Sequence, residues 1–152
     1  MRNRKGSLLH PLLHAGHLIE ARLRDRLAEV DLLPRQARVL NVLGSIGETS
    51  QRKLAQTFDL APASMSTMCN RLLASGLIER RVDPDELRAS LIRLTPTGES
   101  KLEDVRKAWK DMDALIIEAL GEEEARTMAN LTGKLRDKLG GKIPSRDLKK
   151  NS

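Results

Sequence analysis

Residues 61–82 have the sequence APASMSTMCNRLLASGLIERRV, in which a helical pattern precedes a short run typical of a strand. Pro62 suits the first turn of a helix, and Gly76 suits the residue just past its end. At 100° per residue, Met65 and Leu72 lie on one side of this helix, and small polar residues lie on the other. The pattern predicts a helix between the proline and the glycine, with one buried and one polar face.

The polar face of this helix consists of short hydroxyl side chains, one amide and one guanidinium. Such side chains suit a helix in the major groove of DNA, because they allow close approach and offer donors and acceptors to bases and phosphates. A solvated helix in another small α/β protein is the alternative, although solvated faces more often carry Lys and Glu. The candidate DNA-binding residues on this helix are Ala63, Ser64, Ser66, Thr67, Asn70 and Arg71.

The elements on either side of this helix are short. Ser50 can cap a helix over residues 51–58, and it is a further candidate DNA-binding residue. Residues 77–82 and 91–95 flank an Asp-Pro-Asp turn, which is typical of an antiparallel β-hairpin. Two short helices followed by a hairpin predict a winged helix-turn-helix.

Longer helical patterns lie outside this region. Apolar residues at three- and four-residue steps predict helices from Pro11 to Val30, Pro34 to about Gly47, Pro96 to Leu120 and Glu122 to Gly140. We expect Pro11 at the first helical position. Leu9, Leu13 and Leu18 lie outside the main apolar face of the first helix, and a second apolar surface on one helix indicates a partner chain. We therefore expect a homodimer.

Length and composition favour one helix-rich domain over residues 1–152. The chain is 39% hydrophobic and 32% charged, and its 1% of aromatic residues predicts an aliphatic core. The fold class is mainly α with a small β-hairpin wing. Within it we expect a winged helix-turn-helix over 34–95, dimerisation helices over 8–33 and 96–140, and a basic flexible tail over 141–152.

Charge and cysteine content limit the partners and the compartment. The net charge of +6 permits an anionic partner without requiring one. A single cysteine excludes an internal disulfide. No apolar run approaches the roughly 20 residues that span a bilayer, and the basic N-terminus is not a signal peptide. We expect a cytoplasmic protein without a membrane partner.

Residues that could sense a signal are few. His10, His14 and His17 have a spacing that can gather imidazoles for a metal ion, but a helix that starts at Pro11 leaves His10 at its cap. Lining of a dimer interface or an effector cleft is the favoured role of these histidines. Oxidation of Cys69 could release DNA, but this thiol lies beside the apolar face and more often acts as a small hydrophobe. His14, His17 and Cys69 remain candidate effector or sensor residues, and we expect no metal and no cofactor.

Three separated segments resemble the DNA-binding region of MarR-family regulators. They are residues 50–55, 61–72 and 76–80. No phosphate-binding loop or nucleophile elbow accompanies them, so we do not expect an enzyme. The resemblance extends over the outer helices and covers about residues 8–140.

The hairpin resembles the wing of the same family. The family pattern is an acidic residue, one intervening position, Arg, five residues and then Leu-Thr, with a Gly soon after. Here Glu86, Arg88, Leu94 and Gly98 occupy these places. The acidic position holds Glu rather than the usual Asp, and Leu87 stands where a second Arg is common. Glu86 lies close enough in sequence to hold Arg88 by a charge-assisted hydrogen bond.

The resemblance implies an obligate homodimer, joined through its first and last helices, that binds double-stranded DNA at a near-palindromic site. Each helix over 62–75 would enter a major groove, and each Arg88 would enter the adjacent minor groove. Such regulators are more often repressors, and they respond to phenolic ligands, oxidants or, in a few branches, metal ions. This implies a signal-responsive repressor with a small-molecule effector as a further partner. The alternative is a winged-helix module for non-specific DNA coating or for protein–protein contact.

Overall fold

The computed structural model describes residues 6–141, and in this range the chain forms six helices and three short strands. The predicted tail over 141–152 lies outside the described residues except for its first residue. The elements in chain order are α1 (Leu9–Ala28), α2 (Pro34–Ile46), β1 (Thr49–Ser50), α3 (Gln51–Thr57), α4 (Pro62–Ala74), β2 (Ile78–Val82), β3 (Ser90–Leu94), α5 (Pro96–Leu120) and α6 (Glu122–Lys138).

The start of α1 differs from the sequence expectation. The helix begins at Leu9, because the Ser7 hydroxyl accepts hydrogen bonds from the backbone N–H of Leu9 (3.2 Å) and of His10 (3.5 Å). Pro11 is therefore the third helical residue rather than the first. A proline is tolerated there because N–H groups of the first turn have no partner within the helix.

The remaining helix starts agree with their proline signals. Pro34, Pro62 and Pro96 each occupy the first helical position of α2, α4 and α5. At the end of α4, Gly76 adopts a φ of 71°, and its N–H bonds the carbonyl of Leu73 at 3.0 Å. The predicted glycine stop is confirmed, since an L side chain at this φ would be strained.

The sheet is antiparallel, with strand order β1–β3–β2. The predicted hairpin is confirmed: Ile78 pairs with Leu94, and Val82 pairs with Ser90. The strand β1 was not expected, and it adds a third member to the sheet by pairing Thr49 with Ile92. The wing is thus anchored to the segment that precedes α3, which fixes its position relative to the two short helices.

The core is aliphatic, as the composition predicts. It extends from the end of α1 through the winged helix-turn-helix to the middle of α5, and it includes a buried cysteine. Its largest fully buried side chains are Leu27, Val39, Leu40, Leu43, Leu54, Met65, Cys69, Leu72, Ile92 and Val105. This core holds α4 against the sheet by its apolar face and leaves the opposite face of α4 exposed.

The junction between the wing and α5 is tight. The Thr95 hydroxyl accepts from the N–H of Gly98 at 3.0 Å and donates to the carbonyl of Gly76 at 2.6 Å. The Thr95 N–H also donates to the carbonyl of Leu77 at 3.1 Å. A Cβ atom placed on Gly98 would lie 1.9 Å from that same Leu77 oxygen. Only glycine permits this approach of α5 to the start of β2.

The terminal helices expose much of their apolar surface. In α6 only Ala125 is buried, although leucines recur along one side of the helix. The exposed apolar residues of α1 and α6 include Leu9, Leu12, Leu13, Leu18, Leu131, Leu135 and Leu139. Within residues 6–141, no helix combines the length and the apolar character that crossing a membrane requires.

Candidate nucleic-acid interface

The outward face of α4 carries the side chains that the sequence placed there. Ala63, Ser64, Thr67, Asn70 and Arg71 are exposed, and the half-buried Ser66 lies at the edge of the same face. Because the helix buries one side in the core, these side chains form a continuous polar surface. Their short length would let the helix backbone come close to a flat or grooved partner.

Two hydroxyl groups near this surface already have one local partner. Thr67 donates its hydroxyl hydrogen to the carbonyl of Ala63 at 3.1 Å, so its oxygen remains able to accept. Ser50 caps α3 and accepts from the N–H of Lys53 at 3.1 Å, so its hydroxyl remains able to donate. Each hydroxyl can therefore make one further hydrogen bond of defined polarity.

The wing presents Arg88 at its exposed tip, beside an exposed Glu86. Among residues 6–141, no hydrogen bond or ion pair joins these two side chains. The expectation that Glu86 holds Arg88 is thus not met in the described structure. The Glu86 carbonyl instead accepts from the N–H of Ala89 at 2.8 Å, while Asp83 closes the turn by accepting from the N–H of Asp85 at 2.9 Å. These bonds to backbone N–H groups hold the loop, and the Arg88 side chain extends from it.

Arg80 also belongs to this candidate interface, although it was not among the residues predicted from the sequence. Its guanidinium Nη2 donates to Oε1 of Gln51 at 2.8 Å and to Oδ1 of Asn70 at 3.4 Å. One side chain thereby connects the first residue of α3, the outer face of α4 and the strand β2. The alternation of β2 is the signal that could have found it, because Arg80 lies on the same side of the strand as the buried Ile78.

The next residue along β2, Arg81, has a different role. It forms two hydrogen bonds with the Glu48 carboxylate, from Nε at 2.7 Å and from Nη2 at 2.6 Å. These bonds to Glu48 raise the pKa of the Arg81 guanidinium. Arg81 therefore ties the wing to the segment before β1 and faces away from α4.

An open concavity of about 1190 Å³ lies between α3, the start of α4 and the wing. Its lining includes Ser50, Gln51, Ser66, Arg80 and Arg88. The concavity brings Ser50, Ser66, Glu86 and Arg88 together at its edge, whereas Thr67, Asn70 and Arg71 lie on the neighbouring convex face of α4. A convex polar helix beside a wing that presents Arg88 has the shape of a surface that fits adjacent grooves of a duplex.

The remaining candidate residues lie apart from this surface. His14 and His17 are exposed on α1, as is His10, which is helical rather than at a cap. The described residues contain no group of three or more His, Cys, Asp or Glu side chains that could hold a metal ion. Cys69 is fully buried on the inner side of α4, and burial raises the pKa of its thiol, with a smaller opposing effect from the charge of Arg80.

Cys69 should accordingly react slowly with thiol reagents in the native protein. A raised pKa keeps the group protonated at neutral pH, and only the thiolate is an effective nucleophile. We expect dithionitrobenzoate to modify native protein at least about a hundredfold more slowly than the urea-unfolded chain. Fast, complete modification of the native protein at pH 7 would contradict the buried position and would restore Cys69 as a candidate oxidant sensor.

The comparisons with known proteins agree with this geometry. A family model described as the MarR family matches residues 30–89. YhbI of Bacillus subtilis (strain 168), named an uncharacterized HTH-type transcriptional regulator, is 33% identical over 89 residues. These residues are 59% of this chain and 58% of YhbI, so the chain spans little more than half the length of that relative.

Two further proteins extend the match. MdtR of the same organism, named an HTH-type transcriptional repressor, is 27% identical over 117 residues, which are 77% of this chain and 76% of MdtR. The crystal structure of a mutant MarR from E. coli complexed with operator DNA has a TM-score of 0.74 and 22% identity, covering 86% of this chain and 99% of that one. This structural likeness confirms the predicted winged-helix fold with its outer helices. Both relatives are named transcriptional regulators, and the family model shows that residues 30–89 are similar to the MarR family.

Proposed function

We propose that this chain is a sequence-specific, DNA-binding transcriptional regulator that acts as a homodimer on a pseudo-palindromic operator. The observation that carries the proposal is the exposed polar face of α4 beside a wing that presents Arg88. The operator complex of E. coli MarR, which has the same fold, supports DNA as the partner. MdtR is named a repressor, which supports repression as the direction of control. A chromosomal target also implies a cytoplasmic location.

In this proposal, α4 lies in the major groove and the wing reaches the adjacent minor groove. Ser64, Ser66, Thr67 and Asn70 contact base edges, and Arg71 contacts a phosphate. Their hydrogen-bonding groups suit these roles, because amides and hydroxyls match base edges and a guanidinium matches a phosphate. Ser50, Ala63 and Glu86 lie at the border of the contact. Residues 34–95 would thus form the DNA-binding region.

The terminal helices, over residues 8–33 and 96–140, would form the dimer. The exposed leucines of α1 and α6 support this role, since a partner chain would remove them from water. Along α1, Leu13 lies one helical turn before His17, and His14 lies one turn before Leu18. A partner that covers these leucines would also cover the histidines, so we expect the histidines at an interface between subunits or in an effector cleft beside it.

Selection of bound duplexes from a random DNA pool tests the central proposal. The expected result is a near-palindromic motif with half-sites about one helical turn apart. Asn70→Ala should weaken the binding free energy by about 1–3 kcal/mol and abolish the preference at one base pair in each half-site. Asn130→Ala, which removes an exposed amide from α6, is the matched control and should select the parent motif. If the parent retains random duplexes as well as any selected one, the chain coats DNA non-specifically and the proposal is wrong.

Arg88 provides a separate prediction for the wing. Arg88→Lys keeps the charge but loses the planar fork, so we expect at least a tenfold weaker complex, with a larger loss on sites with A·T-rich flanks. Arg106→Lys on α5 is the matched control and should bind like the parent. The measurement is a titration of labelled duplexes by fluorescence anisotropy at fixed salt. Parental affinity for Arg88→Lys, together with weak binding by Arg88→Ala, would show that only the charge of the wing matters.

A further inference from the structure

The hydrogen bonds of Arg80 determine the orientation of a side chain on the DNA-facing surface. An asparagine amide carries one acceptor, Oδ1, and one double donor, the NH2 group, and a rotation of 180° exchanges the two. Arg80 donates to Oδ1 of Asn70 at 3.4 Å, and a guanidinium cannot accept a hydrogen bond from the NH2 group. The Asn70 oxygen is therefore the atom that faces β2, and the NH2 group is turned away from it.

The position of Arg80 is itself fixed. The same Nη2 atom donates to Oε1 of Gln51 at 2.8 Å, a shorter contact than the one to Asn70. The strand β2 holds the Arg80 backbone through its five paired residues with β3. Arg80 is thus fixed by β2 and by Gln51 at the start of α3, neither of which belongs to α4. It can therefore hold the Asn70 amide before any DNA is bound.

The orientation of this amide matters because the major groove presents its groups in a fixed order. Adenine offers the N7 acceptor and then the N6 donor, and its thymine partner offers the O4 acceptor. An amide whose donor and acceptor are held in a fixed order matches A·T at a given position but not T·A, or the reverse. An amide that is free to rotate can match A·T or T·A, because the rotation reverses its own order of donor and acceptor.

We propose that Arg80 is a positioning residue for base selection: it holds the Asn70 amide with its oxygen towards β2 and thereby makes Asn70 distinguish A·T from T·A. This inference rests on the proposed function, since it assumes that α4 lies in a major groove. It differs from a general attraction of the Arg80 charge to phosphates, which would strengthen binding to every sequence equally.

The test compares duplexes that differ only at the base pair where Asn70→Ala loses its preference. We expect the parent to distinguish A·T from T·A there by about tenfold, and Arg80→Ala to reduce this ratio to about twofold. The double variant Arg80→Ala/Asn70→Ala should lose no further discrimination at this base pair, because both changes remove one interaction. Gln51→Ala should give an intermediate ratio, since it frees the Arg80 guanidinium.

Arg81→Ala is the matched control. It removes the same charge from the next residue of β2, but Arg81 contacts Glu48 rather than α4, so the A·T to T·A ratio should stay at the parental value. If Arg80→Ala weakens binding to all duplexes while this ratio stays unchanged, Arg80 contributes only charge and the inference is wrong. If its loss of discrimination falls at another base pair and adds to that of Asn70→Ala, Arg80 contacts a base directly and the inference is also wrong.

A measurement without DNA separates this inference from the proposed function. In the free protein, NMR order parameters of the Asn70 side-chain NH2 group should be high in the parent and clearly lower in Arg80→Ala. Equal disorder in both proteins overturns the positioning role even if the parent selects a DNA motif. If the amide is ordered by Arg80 but the parent shows no base preference at any position, the proposed function has failed, and the assignment to base selection fails with it.

Discussion

Gly98→Ala is expected to lower the free energy of unfolding by about 3 kcal/mol, which is a large effect for the addition of one methyl group. The added Cβ would lie 1.9 Å from the carbonyl oxygen of Leu77. That oxygen also accepts the hydrogen bond from the N–H of Thr95, so relief of the clash requires α5 to move away from β2 and weakens this bond. Urea denaturation followed by circular dichroism measures the change.

Gly133→Ala is the matched control for this prediction. Gly133 lies inside α6 on the side away from the leucines, and the atom nearest to a Cβ placed there is Nη2 of Arg136, at 3.8 Å. Because alanine is the better helix former, this variant should be unchanged or more stable by about 0.5–1 kcal/mol. A Gly98→Ala protein as stable as the parent would mean that the first turn of α5 can shift freely against the wing, contrary to the junction described above.

The double variant Leu131→Asp/Leu135→Asp should convert a dimer into a monomer and reduce operator affinity at least a hundredfold. Leu131 is 61% exposed and Leu135 is 43% exposed, and they lie one turn apart on the same side of α6. Two carboxylates buried in an interface would have to be desolvated, and a monomer binds only one half-site. Light scattering should give about twice the chain mass of 16.9 kDa for the parent and the chain mass for the variant.

The control for this variant is Asn130→Asp/Lys134→Asp, which adds more negative charge to α6 but lies away from the leucine side. This protein should stay dimeric. Circular dichroism should show that the leucine variant remains folded, because α6 contributes only Ala125 to the buried residues. A parent that scatters as a single chain at micromolar concentration would disprove the dimer, and a variant that stays dimeric would place the interface on other helices.

The features that the sequence predicts well are those with local causes. Pro62 and Gly76 bound α4 as expected, because a proline at the first turn and a glycine at positive φ act through their own backbone. The polar face of α4 follows from helical spacing alone. The start of α1 was misplaced by two residues, since the Ser7 hydroxyl accepts from the first two helical N–H groups and Pro11 is tolerated anywhere in the first turn.

The features that sequence reasoning missed depend on contacts between distant residues. Strand β1 has two residues, too few for a recognisable alternation, and it exists because it pairs with β3 some forty residues later. The role of Arg80 depends on Gln51, 29 positions away, and on Asn70, 10 positions away. The expected bond between Glu86 and Arg88 is absent among the described residues, where the turn is closed by the Glu86 carbonyl and the Asp83 carboxylate, which accept from backbone N–H groups.

The helix α5 connects the proposed DNA-binding surface to the proposed dimer interface as one continuous, rigid helix. Its 25 residues span about 37 Å, with the first turn fixed to the wing by Thr95 and the last turn among the exposed apolar residues Ile117 and Leu120. With that last turn held by a partner chain, a tilt of about 5° would displace the wing end by about 3 Å. The rise of one DNA base pair is about 3.4 Å. In the proposed dimer, a small change of the angle between the two chains would therefore displace each wing by about one base-pair step along the operator.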